Sequence, residues 1–346
     1  MEHVGVDLAK NKSQVCILTE DGELIERRIP TSRAQFTKLF GKRSRCKILV
    51  EASNESEWVA RHFEMLGHEV IVADPNFAPM YADRTRRIKT DRRDALELAQ
   101  ACQRGHYRLA HRTSDAHRNV RAGIAVRESL VRSRVRYVNL IQSIIRREGL
   151  RMAPGSTRNF LQRLESMDVP AELLLQIQPL VAMLVPLNEA IDDADRSLAQ
   201  QAQEGSLTAR LCTVPGVGPV TATTFIATLD DIQRFSQASQ VASYLGLVPS
   251  ERSSGDKQHR GRITKAGNSR LRCLLVEAAW CILRYKKPET RALWEWAGRI
   301  TKRRGRQIAA VALARKLARI LFAIWRDEKD YLPTPLPTDE RALVNA

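Results

Sequence analysis

Two short apolar runs, each closed by an acid, limit what this chain can become: Val4-Gly-Val-Asp7 and Lys47-Ile-Leu-Val-Glu51. Such a run is too short for a helix and suits a strand covered on both faces of a sheet. Gln14–Leu18 is a second strand, and Glu20-Asp-Gly22 is turn chemistry leading into a third at Leu24–Ile29. After Glu51 the apolar positions change to helical spacing (Trp58, Val59, Phe63, Leu66) and stop at Gly67. A further strand is expected at Glu69–Ala73. Three strands, then strand, helix, strand, make a mixed sheet with helices, an α/β domain.

Acids at the ends of neighbouring buried strands face the crevice at the edge of a sheet, where ligand sites form. Lys89-Thr-Asp-Arg-Arg-Asp-Ala95 supplies a third element. Thr90 is its N-cap, and Asp91 opens a helix running through Leu96, Leu98 and Ala99. Asp91 and Asp94 share one helical face. Asp7, Glu51, Asp91 and Asp94 are therefore expected to converge. Crowded carboxylates repel unless a cation lies among them, and Mg²⁺ is held by a few carboxylates plus substrate phosphate. Two such ions about 4 Å apart would serve both sides of a phosphoryl transfer. Each acid also has a purely structural reading: Asp7 capping a turn, Glu51 a solvated strand end, Asp91 and Asp94 favouring a helix N-terminus. The joint order of strand acid, strand acid, helix acids is that of a ribonuclease-H-like nuclease domain.

Charge names the class of partner. In 346 residues, Lys and Arg number 56 against 39 Asp and Glu, a formal +17. An excess of that size, spread along the chain, points to nucleic acid and not to a membrane surface. The amino-terminal segment MEHVGVDLAK has no basic region and no long apolar stretch, so no signal peptide is expected. The best candidate for a membrane span, Ile308–Trp325, is broken by Arg315, Lys316 and Arg319. The six cysteines form no CxxC pair and read as reduced core thiols. The histidines lack zinc-finger spacing, so a metal finger is rejected. These features together read as a cytoplasmic, nucleoid-associated protein.

Beyond the α/β part the pattern is helical. Asn119–Glu148 has apolar positions at helical spacing and a face carrying Arg121, Arg127, Arg132, Arg134 and Arg136. That face is either solvated or a surface for phosphate backbone, with only Glu128 and Glu148 to offset it. Leu173, Ile177, Leu180, Leu184, Leu187, Ile191, Ala194 and Leu198 follow the heptad rule of a coiled-coil seam. Pro179 and Pro186 fall inside, so a kinked helix or two shorter helices are expected. The stripe serves either self-association or packing within the chain. Gln203-Glu-Gly-Ser206 is a polar hinge. Pro215-Gly-Val-Gly218 between two apolar helical runs is a helix-hairpin-helix pattern, in which Gly216 and Gly218 let amides approach a phosphate, or a plain tight turn. The expected divisions are 1–150, 151–205 and 206–330, with a loose tail at 331–346.

The stretch Tyr244–Arg272 carries adjacent serines, Ser253 and Ser254, beside Gly255, then Lys257, Arg260, Arg262, Lys265, Arg270 and Arg272. It is either a solvated basic loop or a hydroxyl nucleophile set among cations that stabilise charge on phosphate oxygens. Arg303 and Arg304 extend the basic set.

VGVDLAK, VEAS, KTDRRDA, TVPGVGPVTA, YLGLVPSERSSG and RGRITKAGNSRLR, in that order, resemble the DEDD-type insertion-sequence transposases. The resemblance covers residues 1 to about 326. It implies an N-terminal RuvC-like domain, a coiled-coil linker and a mainly α-helical transposase domain. It places the family's four acids on Asp7, Glu51, Asp91 and Asp94, and its catalytic serine on Ser254, with Ser253 one residue away. It further implies attack by the serine on DNA, a covalent phosphoserine intermediate, Mg²⁺ on the carboxylates, and a composite site built across protomers. The implied partners are an element-encoded non-coding guide RNA, double-stranded donor and target DNA, and a homodimer assembling to a tetramer. The competing readings are a water-using Holliday-junction nuclease and a non-catalytic nucleic-acid-binding protein.

Overall fold

A computed structural model describes residues 1–77, 90–200, 203, 205–254 and 257–333, with the side chains of 252–254 and 257–260 outside the description. The chain forms two compact units, Met1–Thr113 and Ser114–Ala346.

The first unit is a mixed α/β domain. Its strands are β1 (His3–Asp7), β2 (Lys12–Leu18), β3 (Leu24–Pro30), β4 (Lys47–Glu51) and β5 (Glu69–Ala73); its helices are α1 (Arg33–Phe40), α2 (Ser56–Met65) and α3 (Asp91–Arg104). The order in the sheet is β3-β2-β1-β4-β5. The three leading strands pair antiparallel, and β1, β4 and β5 run parallel. Strand alternation divides the side chains between two layers. Val4, Val6, Val15, Ile17, Ile48 and Val50 pack on Phe36, Phe40, Val59 and Phe63 of α1 and α2. Leu49, Ile71 and Ala73 pack on Leu98, Ala101 and Cys102 of α3. The sheet is thus covered on both faces, as the apolar runs require. Helix α1 was not expected: its only periodic signal is Phe36 and Phe40, after the N-cap Ser32 that accepts from Gln35 N.

Among the described residues the second unit is helical apart from one hairpin. It contains α4 (Asp115–Arg147), α5 (Phe160–Glu165), α6 (Ala171–Gln200), α7 (Leu207–Cys212), α8 (Pro219–Leu229), α9 (Ala238–Tyr244), β6 (Pro249–Ser254), β7 (Lys257–Ile263), α10 (Ser269–Tyr285), α11 (Arg291–Arg304) and α12 (Arg306–Asp327). Its largest core joins α7 to α10 and α12 through Leu211, Phe225, Leu275, Leu317 and Leu321. The two units divide at 113 and not at the expected 150, and α4 packs on α6 and α8 within the second. Parts of the expected hinge at 203–206 and of the tail at 331–346 lie outside the described residues.

Helix α6 is one continuous helix through Pro179 and Pro186, where a kink or break was expected. Both prolines sit on its exposed side, and the opposite side is held by packing. Leu173, Ile177 and Leu184 meet Val138, Ile141 and Ile145 of α4, and Leu198 meets Ile124. The two helices are therefore antiparallel, and the heptad stripe is consumed within the chain. Among the described residues α6 is also the helix long and apolar enough to cross a membrane, with an 18-residue window of mean hydropathy 1.4. That replaces Ile308–Trp325 as the most apolar long segment; α12 instead buries its apolar side in the core.

The cysteines fall into three groups, with Cys212 half-buried between the other two. Cys16, Cys46 and Cys102 are buried, whereas Cys273 and Cys281 are exposed and contradict a core reading for all six. Burial pushes the thiols of Cys16 and Cys46 up to about 12 and that of Cys102 up to about 11. An aromatic disulfide reagent at mildly alkaline pH is expected to modify Cys273 and Cys281 rapidly in the native protein. Cys16, Cys46 and Cys102 should react only on unfolding. Mass spectrometry of the labelled peptides checks this, and rapid native labelling of Cys102 would contradict the packing of α3.

Candidate functional site

The acids come to one end of the first unit for a reason that can be traced in the sheet. Val6 of β1 lies beside Val50 of β4 in parallel register, so Asp7 and Glu51, the next residues, stand side by side. Gly5 faces α3: a Cβ there would lie 2.2 Å from Ala95 O and 2.3 Å from Ala99 N. Asp7 is two residues on from Gly5, and Glu51 two on from Leu49, so both project on the α3 face. Helix α3 runs against the strands. Near its C-terminus Cys102 Sγ donates to Lys47 O at 3.4 Å, at the start of β4. Its first turn, with Asp91 and Asp94, therefore falls at the strand ends where Asp7 and Glu51 lie. Thr90 caps this turn, its Oγ1 accepting from Arg93 N at 3.4 Å.

The four acids do not play equal parts. Asp94 is 7% exposed. Asp91 is largely exposed and pairs with Arg28 at 3.4 Å. Arg28 sits opposite Gln14, which sits opposite Asp7, so Asp91 reaches over the same row of the sheet. Arg28 was not singled out in the sequence; its position on β3, two residues from the Glu26 that pairs with Arg92 at 2.6 Å, is the pattern that would have found it. Carboxylate oxygens in this number suit a hard divalent ion. The cage is not closed, however: among the described residues no three acids, histidines or cysteines come within reach of one metal ion. Asp7, Glu51 and Asp94 each engage another neighbour, and Asp91 is held toward β3 by Arg28.

The serine stretch is a β-hairpin and not a loop. Strands β6 and β7 pair antiparallel, with Ser253 opposite Gln258 and Ser254 opposite Lys257 as the outermost pair. The side chains of Ser253, Ser254, Lys257 and Arg260, and all of Gly255, lie outside the described residues. The root of the hairpin is built from close backbone approach. Gly246 and Gly267 both have φ of +66, and a Cβ on Gly267 would lie 2.1 Å from Tyr244 O. Arg272 donates to Leu245 O at 3.2 Å, to Gly267 O at 3.1 Å and to Ala266 O, which joins the two strands' roots. Through Nη1 this guanidinium clamps the protein's own carbonyls, a structural part that the expectation of a phosphate ligand did not include. Arg262 and Lys265 are exposed. Arg270 lies 2.7 Å from Glu128, out of line for a hydrogen bond, and Glu128 also takes Arg132 at 2.9 Å.

Helix α4 uses much of its charge internally. Arg121 donates to Ala227 O at 2.6 Å and Thr228 O at 2.9 Å, closing the end of α8. Arg127 pairs with Asp195, and Arg134 donates to Asn188 Oδ1 at 3.3 Å, both on α6. Burial lowers the pKa of Arg134 from the usual arginine value. The offsetting groups that the sequence of α4 lacks are thus supplied by α6. Arg132 and Arg136 remain exposed, as do Arg303 and Arg304 at the end of α11. In the turn between α7 and α8, Gly216 has φ of +84 and a Cβ would lie 3.0 Å from Ala278 O, so packing on α10 demands the glycine. Gly218, the N-cap of α8, has open space in front of it.

A mixed sheet with acids gathered at one end, followed by a helical unit, fits a DEDD nuclease-like domain joined to a helical domain. Residues 4–148 match the DEDD transposase profile of IS110 elements, and residues 208–295 match the transposase IS116/IS110/IS902 family. The chain is 31% identical to the transposase for insertion sequence element IS1111A of Coxiella burnetii, over 95% of this chain and 90% of that one. It is 28% identical to the transposase for insertion sequence element IS1328 of Yersinia enterocolitica, over 93% and 96% of the two chains. The chain belongs to the IS110-type insertion-sequence transposases, and DNA is its substrate.

Proposed function

We propose that this transposase breaks and rejoins DNA strands with Asp7, Glu51, Asp91 and Asp94 holding Mg²⁺ and Ser254 as the attacking group. What supports the proposal is that the strand register and the direction of α3 put two strand-end acids and the helix turn bearing two more at the same end of the sheet. When bound, the metal would neutralise phosphate charge and lower the cost of displacing an oxygen from phosphorus. Asp7 and Glu51 are fixed by the strand register and Asp94 by burial. Asp91 is released for a ligand only when its link to Arg28 is given up. The Ser254 hydroxyl loses its proton as its oxygen bonds to phosphorus, and the departing deoxyribose oxygen takes one up. The phosphodiester energy is kept in the phosphoserine, which suits rejoining.

Recognition of sequence is assigned to an element-encoded guide RNA, a reading supported by the +17 charge and by the family resemblance, with Arg132, Arg136, Arg262 and Lys265 as exposed contacts. Lys257, Arg260 and the open amides at Gly218 complete the set. Assembly from dimer to tetramer belongs to the same reading, and because the heptad stripe is consumed by α4 it must use another surface.

A DEDD site can also use water, and the family profile names the acids and no serine, so the nucleophile is the point to test. The protein is incubated with Mg²⁺, its co-purified RNA and labelled junction DNA, then run on a denaturing gel. The expected result is label migrating with the protein, lost in Ser254→Ala and kept in Ser253→Ala. Free cleaved DNA, unaffected by Ser254→Ala, would establish water as the nucleophile and remove the serine from the mechanism.

A further inference from the structure

Helices α11 and α12 carry cations that the site above does not use. Arg315, Lys316 and Arg319 line a cavity of about 650 Å³ beside Trp296, with no acid in its wall. On the other side of α11 a second cavity of about 720 Å³ is lined by Lys286, Arg299, Lys302 and Arg306, and Arg299 is near enough to repel Lys316 of the first. Its one acid, Glu295, is already paired with Arg291 at 2.8 Å. Among the described residues none of Arg299, Arg315, Lys316 and Arg319 forms an ion pair, and Arg315 Nε is buried without an acceptor. Burial, and then repulsion from Arg299 and Arg319, lowers the pKa of Lys316. Like charges gathered and partly desolvated destabilise a fold, and an anionic ligand relieves that cost.

The chemistry of the ligand follows from the groups present. Guanidinium forks match phosphate oxygens. Cations in two adjacent cavities suit a ligand with a row of phosphates better than a single anion. The aromatic rings nearby are already covered: Lys316 lies 4.6 Å from the Trp296 ring centre, Lys286 5.5 Å from Trp294 and Arg306 5.9 Å from Trp280. Single strands are bound by stacking bases on free ring faces. Rings capped by cations leave backbone contact, the mode of a duplex.

We propose that the grooves on either side of α11 form a track for the phosphate backbone of a nucleic-acid duplex, held by Arg299, Arg315, Lys316 and Arg319. The track rests on this chain's acting on DNA and is independent of which group attacks the phosphate.

Fluorescence anisotropy over a series of KCl concentrations tests it, with duplex DNA, duplex RNA and a single strand as probes. Arg299→Gln/Arg319→Gln removes two exposed cations and should leave the thermal midpoint unchanged. It is expected to weaken duplex binding irrespective of sequence and to reduce the slope of log affinity against log salt by roughly 2 on DNA, at about 0.9 per phosphate contact. A loss on duplex DNA alone, or on duplex RNA alone, identifies which duplex the track carries. Lys316→Met is expected to weaken duplex binding while raising the thermal midpoint, because it removes a repelled charge. Unchanged duplex affinity and slope in both variants, or a loss on the single strand only, would overturn the proposal.

Discussion

Asp7→Asn is expected to leave folding and DNA binding intact and to lower strand cleavage by about a thousandfold or more. Asparagine keeps the shape of the side chain at the end of β1, where Val4 and Val6 secure the strand through the core. What it removes is one negative charge from a site proposed to hold a divalent cation. Metal-bound transition-state stabilisation is worth several kcal/mol, and about 1.4 kcal/mol is a factor of ten in rate. Glu51→Gln should behave alike, since Glu51 lies beside Asp7 in the sheet. Cleavage of junction DNA at saturating Mg²⁺ gives the rate, and Mn²⁺ binding to the protein without DNA gives a second readout, expected to weaken in both variants. Activity within tenfold of the parent would remove these carboxylates from the chemistry, whatever the nucleophile proves to be.

Gly5→Ala should have the largest effect on stability. The added Cβ would lie 2.2 Å from Ala95 O and 2.3 Å from Ala99 N, and both are backbone atoms of α3 that no side-chain rotation can move aside. Overpacking against backbone costs about 3 kcal/mol or more, enough to lower the thermal midpoint of a domain of this size by more than about 10 °C. The helix that must retreat is the one carrying Asp91 and Asp94, so cleavage should fall with stability. Circular dichroism melts of the parent and variant decide it. A melt unchanged by the substitution would show that α3 does not sit on β1 as described.

The sheet was legible because its strands are apolar runs with no other use, and its acids because each ends such a run or opens a helix. Their common end could be anticipated from strand direction. The separation of Asp91 from Asp94 could not, because it depends on Arg28, which is distant in sequence and adjacent only through strand pairing. The hairpin at 249–263 escaped notice because its residues are almost all polar and show no alternation; its root is fixed by Gly246, Gly267 and Arg272, whose partners are backbone atoms.

By itself the sequence determined the kind of elements, the sign of the surface charge and the order of the acids, since these follow from local apolar spacing and composition. Tertiary structure alone decided which charges remain for nucleic acid. Arg121, Arg127, Arg134 and Arg272 find acceptors on other elements, while Arg315, Lys316 and Arg319 share one cavity, with Arg299 near enough to repel Lys316, and none of the four forms an ion pair among the described residues. A guanidinium is satisfied or left waiting by what packs within about 3 Å of it, and that neighbour is set by how the helices cross, not by the residues beside it in the chain.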